Sequence, residues 1–76
     1  MRKLHEIAAE IQKEWENPYF GAVLYLDAMH ELESIDDYFY QDSGRIIVTY
    51  FLANAQHFRG EAARRLKAEL RRHLGR

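Results

Sequence analysis

Cysteine is absent from the 76-residue chain, which excludes disulfides and thiolate metal sites. A domain of this size buries only about 60% of the surface of its unfolded chain, and small domains usually add disulfides or a structural metal. Neither is indicated here, because the four histidines are scattered. We therefore expect stabilisation by helix packing or self-association. The apolar stripes of the first and last helices must be covered by one another or by a second copy, and a homodimer is the simplest form of self-association.

A long hydrophobic run is also missing from the N-terminus, where MRKLHEIAAEI alternates charged and apolar residues. This pattern predicts neither a signal peptide nor a membrane span, so we expect a cytoplasmic protein with no membrane partner. The chain is 47% hydrophobic and 30% charged, which is typical of a folded globular domain rather than a disordered one.

Basic residues are scarce in the first three quarters of the chain. Residues 1–58 carry ten acids and four bases, whereas residues 59–76 carry seven bases and two acids, so a net charge of −1 divides into about −6 and +5. This asymmetry predicts a charge-segregated surface.

The densest apolar run, Ser43 to Phe58, is predicted to form the central element of the core. Its β-branched and aromatic residues favour a strand, but the chain offers no second strand-like run to pair with it. Asp42 or Ser43 can serve as an N-cap, and the pattern continues beyond strand length. We interpret the run as a buried helix covered on more than one face.

The whole chain is predicted to be a single all-α domain, residues 1–76, a small bundle of three to four helices near 3–16, 18–32, 43–57 and 60–74. Asn17 is expected to cap the second helix. Residues 33–42 are expected to be a connection with one helical turn at most. Gly60 either breaks the chain between two helices or bends one continuous helix over 43–74. The expected core includes Leu26, Ile47, Phe51 and Leu66.

Three segments, NPYFGAVLYLDAM (17–29), DSGRIIVTYFLANA (42–55) and FRGEAARRLKAEL (58–70), together resemble small uncharacterised helical proteins of actinobacteriophages, of the mycobacteriophage type. The resemblance spans most of the chain and is one of spacing and residue type; that pattern often has proline where Leu24 stands and tryptophan where Phe58 stands. It implies a phage product made in an actinobacterial host. It assigns no role to any residue.

Metal and cofactor chemistry is not indicated. Asp27 and His30 stand three residues apart and could share a helical face, but a metal site in a helical bundle needs further carboxylate and histidine ligands. The other histidines, His5, His57 and His73, lie far apart in the sequence. We expect no metal and no cofactor.

Catalytic patterns are missing as well. The hydroxyl residues Ser34, Ser43 and Thr49 lie in no nucleophile motif, and both serines fit helix caps. Gly44 and Gly60 are isolated, so no phosphate-binding loop is present. We expect a protein that is not an enzyme.

Two surface features remain as candidate binding sites. An aromatic triplet, Tyr38, Phe39 and Tyr40, lies in the second connection. It either folds over one end of the bundle or is exposed, and exposed aromatic residues are common anchors of protein interfaces. The last helix carries four candidate arginines, Arg64, Arg65, Arg71 and Arg72. These features predict a protein-interaction module, and the resemblance implies that it is phage-encoded and binds a host protein. Nucleic-acid binding through the basic last helix is the alternative.

Overall fold

Four helices and one small hairpin make up the fold in a computed structural model that describes residues 1–76. In chain order the elements are α1 (Leu4–Glu14), α2 (Phe20–Met29), β1 (Tyr38–Phe39), β2 (Asp42–Ser43), α3 (Gly44–Ala53) and α4 (Glu61–His73). The all-α prediction is confirmed.

The helices pack mainly in two pairs, α2 with α3 and α1 with α4, and α1 joins the pairs by packing on α2. A single core of 19 buried residues includes the four predicted from the sequence: Leu26, Ile47, Phe51 and Leu66. Because α1 and α4 pack against each other, their apolar stripes are covered within the chain. These stripes therefore give no reason to expect a homodimer.

An ion-pair network spans the contact between α1 and α4. The Arg2 guanidinium donates to Glu69 (Nε to Oε2, 2.9 Å) and lies 2.9 Å from Glu10 Oε1, while Arg65 also bonds to Glu10. The hydrogen bond from Arg2 lowers the pKa of Glu69, and bonds from Arg65 and Arg2 lower the pKa of Glu10. The network joins α1, and Arg2 just before it, to α4.

Acidification is expected to remove the stability that this network supplies. A carboxyl whose pKa is lower in the folded than in the unfolded protein contributes its full stabilisation above the unfolded value of about 4.3, and loses it as the pH falls through the folded value. Urea titrations from about pH 5 to pH 3 should show a smaller loss of stability in Glu69→Gln than in the wild type. The control is Glu14→Gln, an exposed residue without an ion pair, which should keep the wild-type slope. Identical slopes in all three proteins would contradict this account.

The second helix is shorter than predicted at both ends. Asn17 does not cap it, because Tyr19 holds the N-cap position and α2 begins at Phe20. At the other end, the carbonyls of Leu32 and Glu33 accept hydrogen bonds from the first amides of α1, each at 2.9 Å. Leu32 and Glu33 therefore lie outside α2, and their carbonyls satisfy the free amides at the N-terminus of α1.

The connection between α2 and α3 forms a turn and a hairpin. The Ser34 carbonyl accepts from the Asp37 amide at 3.1 Å, and the Asp37 carboxylate accepts from the amides of Glu33 and Ser34. Residues 38–39 then pair antiparallel with residues 42–43. Strand pairing in this segment was not predicted, because each strand has only two residues and carries no alternating pattern.

The chain is not helical between α3 and α4, so these are two separate helices and not one continuous helix bent at Gly60. The Ser43 hydroxyl caps α3 by accepting from the Ile46 amide at 3.3 Å, and α3 ends at Ala53. Gly60 then precedes α4 with φ of 109°, a backbone conformation that residues other than glycine rarely adopt. Between the helices, Phe58 is buried and stacks on Trp15 with ring centroids 5.0 Å apart.

Candidate functional site

The outward side of α2 is apolar and uncovered. Phe20 is 80% exposed and Leu24 is 76% exposed, and their spacing of four residues places them together on one side of the helix. The helix FGAVLYLDAM contains one charged residue, Asp27. A helix that is apolar on all sides is normally buried on all sides. The outer side of α2 is instead exposed to solvent.

The adjoining side of α3 extends this apolar surface. Ile46 is 44% exposed and Tyr50 is 52% exposed, and the Tyr50 ring lies 5.7 Å from that of Tyr25 on α2. The prediction that the Ser43–Phe58 helix is covered on more than one face is therefore wrong along this side. We call the surface formed by Phe20, Leu24, Tyr25, Ile46 and Tyr50 the α2–α3 face.

A groove of about 290 Å³ lies between α2, α3 and the hairpin, at one end of the α2–α3 face. Its walls are formed by five apolar residues and one acid: Leu24, Tyr25, Ala28, Phe39, Ile47 and Asp42. A mostly apolar concavity with one charged group at its edge suits an apolar side chain from a partner.

The hairpin adds exposed aromatic rings beside this groove. Tyr38 is 68% exposed and Tyr40 is 88% exposed, while Phe39 is half-buried and lines the groove. The rings of Phe39 and Tyr40 meet edge to face at 4.7 Å. The predicted aromatic triplet is thus divided between the groove wall and the solvent.

Tyr40 has a left-handed backbone conformation, with φ of 57°. This region is uncommon for large side chains and better tolerated by asparagine, so Tyr40→Asn should raise the free energy of unfolding by about 0.5–1 kcal/mol. Thermal denaturation measures the gain, and Tyr38→Asn is the matched control because it removes an exposed tyrosine from a strand position. A gain in the control as large as in Tyr40→Asn would show that backbone strain is not the cause.

The four candidate arginines of α4 are not equivalent. Arg65 is held by Glu10 and by Glu69, whereas Arg64, Arg71 and Arg72 are exposed and make no ion pair. None of them lines the groove beside the hairpin. The predicted binding residues therefore lie on two separate surfaces, the hairpin and the outer side of α4.

No group of three or more histidine, aspartate or glutamate side chains is arranged to hold a metal ion. Asp27 is exposed, and His30 is half-buried with its Nε2 atom lacking a hydrogen-bond partner. None of the four helices is both long and apolar enough to cross a membrane.

Phe20 and Leu24 were not among the binding residues predicted from the sequence. The available signal was the composition of α2, in which Asp27 is the one charged residue among ten. Exposed apolar residues could not be separated from core residues by that signal alone, because both give the same hydrophobic pattern.

Comparisons with protein-family models, with curated proteins and with solved structures find no match to this chain.

Proposed function

We propose that this chain is a non-enzymatic protein-interaction module whose binding surface is the α2–α3 face together with the hairpin. The observation that carries the proposal is the exposure of Phe20 (80%) and Leu24 (76%) on a helix without a polar side. Contiguous exposed apolar patches on small proteins mark interaction sites more often than isolated apolar residues do.

The size of the surface supports this role. Aromatic side chains have areas of about 150–250 Å², so the exposed parts of the α2–α3 face amount to roughly 500 Å². A stable interface covers about 800 Å² on each partner, with an apolar centre and a polar rim. The face is large enough to supply that centre, and the hairpin tyrosines can extend it.

The resemblance to actinobacteriophage proteins supplies the biological context of the proposal. A phage-encoded module of this kind acts in the host cytoplasm and binds a host protein. Its effect on that protein follows from occupying a surface, since binding through apolar contacts requires no chemistry at the site.

The test is affinity purification from an actinobacterial host with the wild type and the double variant Phe20→Ala, Leu24→Ala. Two truncated anchors, each contributing about 1–2 kcal/mol, should lower recovery of the partner at least tenfold. The triple variant Tyr38→Ala, Phe39→Ala, Tyr40→Ala should also lower it. The matched control is Arg64→Gln, Arg71→Gln, Arg72→Gln, which alters another surface and should retain the partner. Unchanged recovery by both folded face variants would contradict the proposal.

Nucleic-acid binding through α4 is the second candidate, favoured by the three exposed and unpaired arginines Arg64, Arg71 and Arg72. Arg64 and Arg71 stand seven residues apart and so share one side of the helix. This function predicts that duplex or single-stranded nucleic acid is retained at low salt, released as salt increases, and not retained by the triple glutamine variant. No retention at low salt by the wild type would eliminate it.

A further inference from the structure

The surroundings of the α2–α3 face are strongly acidic. Residues 15–58, which form α2, the hairpin and α3, contain seven acids and one base: Glu16, Asp27, Glu31, Glu33, Asp36, Asp37, Asp42 and Arg45. Asp42 lines the groove, and Asp27 lies one turn along α2 from Leu24. Asp27 and Asp42 are exposed and make no ion pair. Any partner on this face therefore meets uncompensated negative charge.

The one base of this region does not offset the acids around the groove. Arg45 lies on α3, but its guanidinium is directed to the end of α4, where it donates to the Leu74 carbonyl at 3.4 Å. The chain's other bases lie in residues 1–14 and 59–76. The charge around the groove is therefore negative, with Asp42 in its wall and Asp27 exposed on α2 beside Leu24, and it favours a cationic partner.

A second copy of this chain does not have the required surface. Two α2–α3 faces in a symmetric dimer would bring the same acids together, and like charges at an interface are unfavourable. The basic outer side of α4 has the complementary charge, but neither α1 nor α4 carries an exposed large apolar residue. The partner therefore needs positive charge and an apolar stripe on one element, which this chain does not present.

The shape of the site selects a helix over an extended strand. The strands of the hairpin have two residues each, which is too short to template the addition of another strand. In contrast, α2 and α3 pack against each other with ten residues each, about 15 Å in length, and the groove opens at the hairpin end of the face that they form. A partner helix with about three turns in contact matches that length.

We propose that the α2–α3 face receives a basic amphipathic helix of a different protein, with apolar residues in the groove and lysines or arginines against Asp27 and Asp42. This inference rests on the proposed function and specifies the chemistry of the partner. The helix contributes an anchor that enters the groove beside Phe39, and its charges select it among amphipathic helices in general.

The test uses two synthetic peptides of about 15 residues with leucines at identical helical positions, one with lysine and one with glutamate on the opposite side. They are titrated into the full-length protein while backbone amide NMR signals are recorded. The lysine peptide should bind at least about tenfold more tightly and shift signals of Leu24, Tyr25, Phe39 and Ile47 rather than those of α4. Its affinity should fall as salt increases.

Charge removal provides the matched variant. Asp27→Asn with Asp42→Asn removes both charges at exposed positions and should lower the affinity of the lysine peptide about tenfold at low salt, with little effect on the glutamate peptide. The control variant Asp36→Asn removes an exposed acid of the same region that lies neither on α2 nor in the groove wall, and it should change little. Thermal denaturation of each variant verifies the fold.

Each alternative outcome overturns a defined part of the account. Equal binding of both peptides in the groove would contradict the basic helix and leave the interaction surface in place. Shifts only outside the face, or no binding of either peptide to the folded protein, would contradict both proposals. A dimer in sedimentation that Phe20→Ala and Leu24→Ala convert to a monomer would identify a second copy as the occupant and overturn the inference. Vesicles of phosphatidylcholine that shift the same signals more strongly than the lysine peptide would overturn it in favour of a lipid surface.

Discussion

Replacing Phe51 by alanine is expected to lower the free energy of unfolding by about 3–5 kcal/mol. Phe51 is fully buried on α3, and its ring meets Trp15 edge to face at 6.1 Å, so it joins α3 to the segment that follows α1. Truncation removes buried apolar area and leaves a cavity that the four short helices cannot close. Since a domain of this size has stability on the order of 5 kcal/mol, the variant should retain at most about 2 kcal/mol and unfold at a much lower temperature than the wild type.

Circular dichroism during urea and thermal denaturation measures this loss. The matched control is Tyr50→Ala, which truncates the neighbouring aromatic residue of α3 at a site that is 52% exposed and should cost less than about 1 kcal/mol. A loss of similar size in both variants would show that the core is not centred where the structure places it.

Replacing Gly44 by alanine is expected to have the second largest effect, a loss of about 2–3 kcal/mol. Gly44 is the first residue of α3, and a Cβ atom there would lie 2.6 Å from the Ser34 carbonyl oxygen and 2.8 Å from the Ile35 Cα. Both are backbone atoms of the connection after α2, so relief would require moving the start of α3 away from that connection. The Gly44 amide donates to the Asp37 carbonyl at 2.7 Å, and the same movement would weaken that bond.

Gly21→Ala is the matched control for this prediction. Its Cβ would also be close to another atom, at 2.5 Å, but that atom belongs to the ring of Tyr19, which is 44% exposed and can turn aside. The substitution also replaces a glycine in the first turn of α2 by a better helix former, which stabilises by up to about 1 kcal/mol. Denaturant midpoints should therefore separate the two variants, with Gly21→Ala near or above the wild type. A larger loss at Gly21 than at Gly44 would contradict the packing described for both.

The helices and the core were predictable from local pattern. Leu4, Ile7 and Ile11 recur at helical spacing, which indicates a helix. The 43–57 region was assigned from its context, because a capping residue precedes it and no second strand-like run exists to pair with it. The helix ends were less predictable. α2 ends at Met29 and not at Leu32, and the carbonyls of Leu32 and Glu33 accept from the first amides of α1, a contact between distant parts of the chain that no local pattern contains.

The candidate site was only partly predictable for the same physical reason. The exposed aromatic residues of the connection suggested a surface near the groove, but Phe39 could not be placed in its wall without the hairpin that turns it there. Phe20 and Leu24 have the composition of core residues, and their exposure depends on where α3 and α1 pack on α2. Which α4 arginines form ion pairs also depends on tertiary structure, because Arg65 bonds to Glu10 only when α1 packs beside α4.

The most direct measurement of the central claim is photocrosslinking in actinobacterial cells with p-benzoyl-phenylalanine at position 24, in place of Leu24, and in a separate protein at position 64, in place of Arg64. Both positions are exposed, and they lie on the two surfaces that compete as binding sites. We expect a discrete protein adduct from position 24. The same adduct should be absent from position 64 and should be lost from position 24 when Phe20→Ala is added. A discrete adduct from position 64 alone would contradict the claim that the α2–α3 face is the surface through which this protein binds its partner.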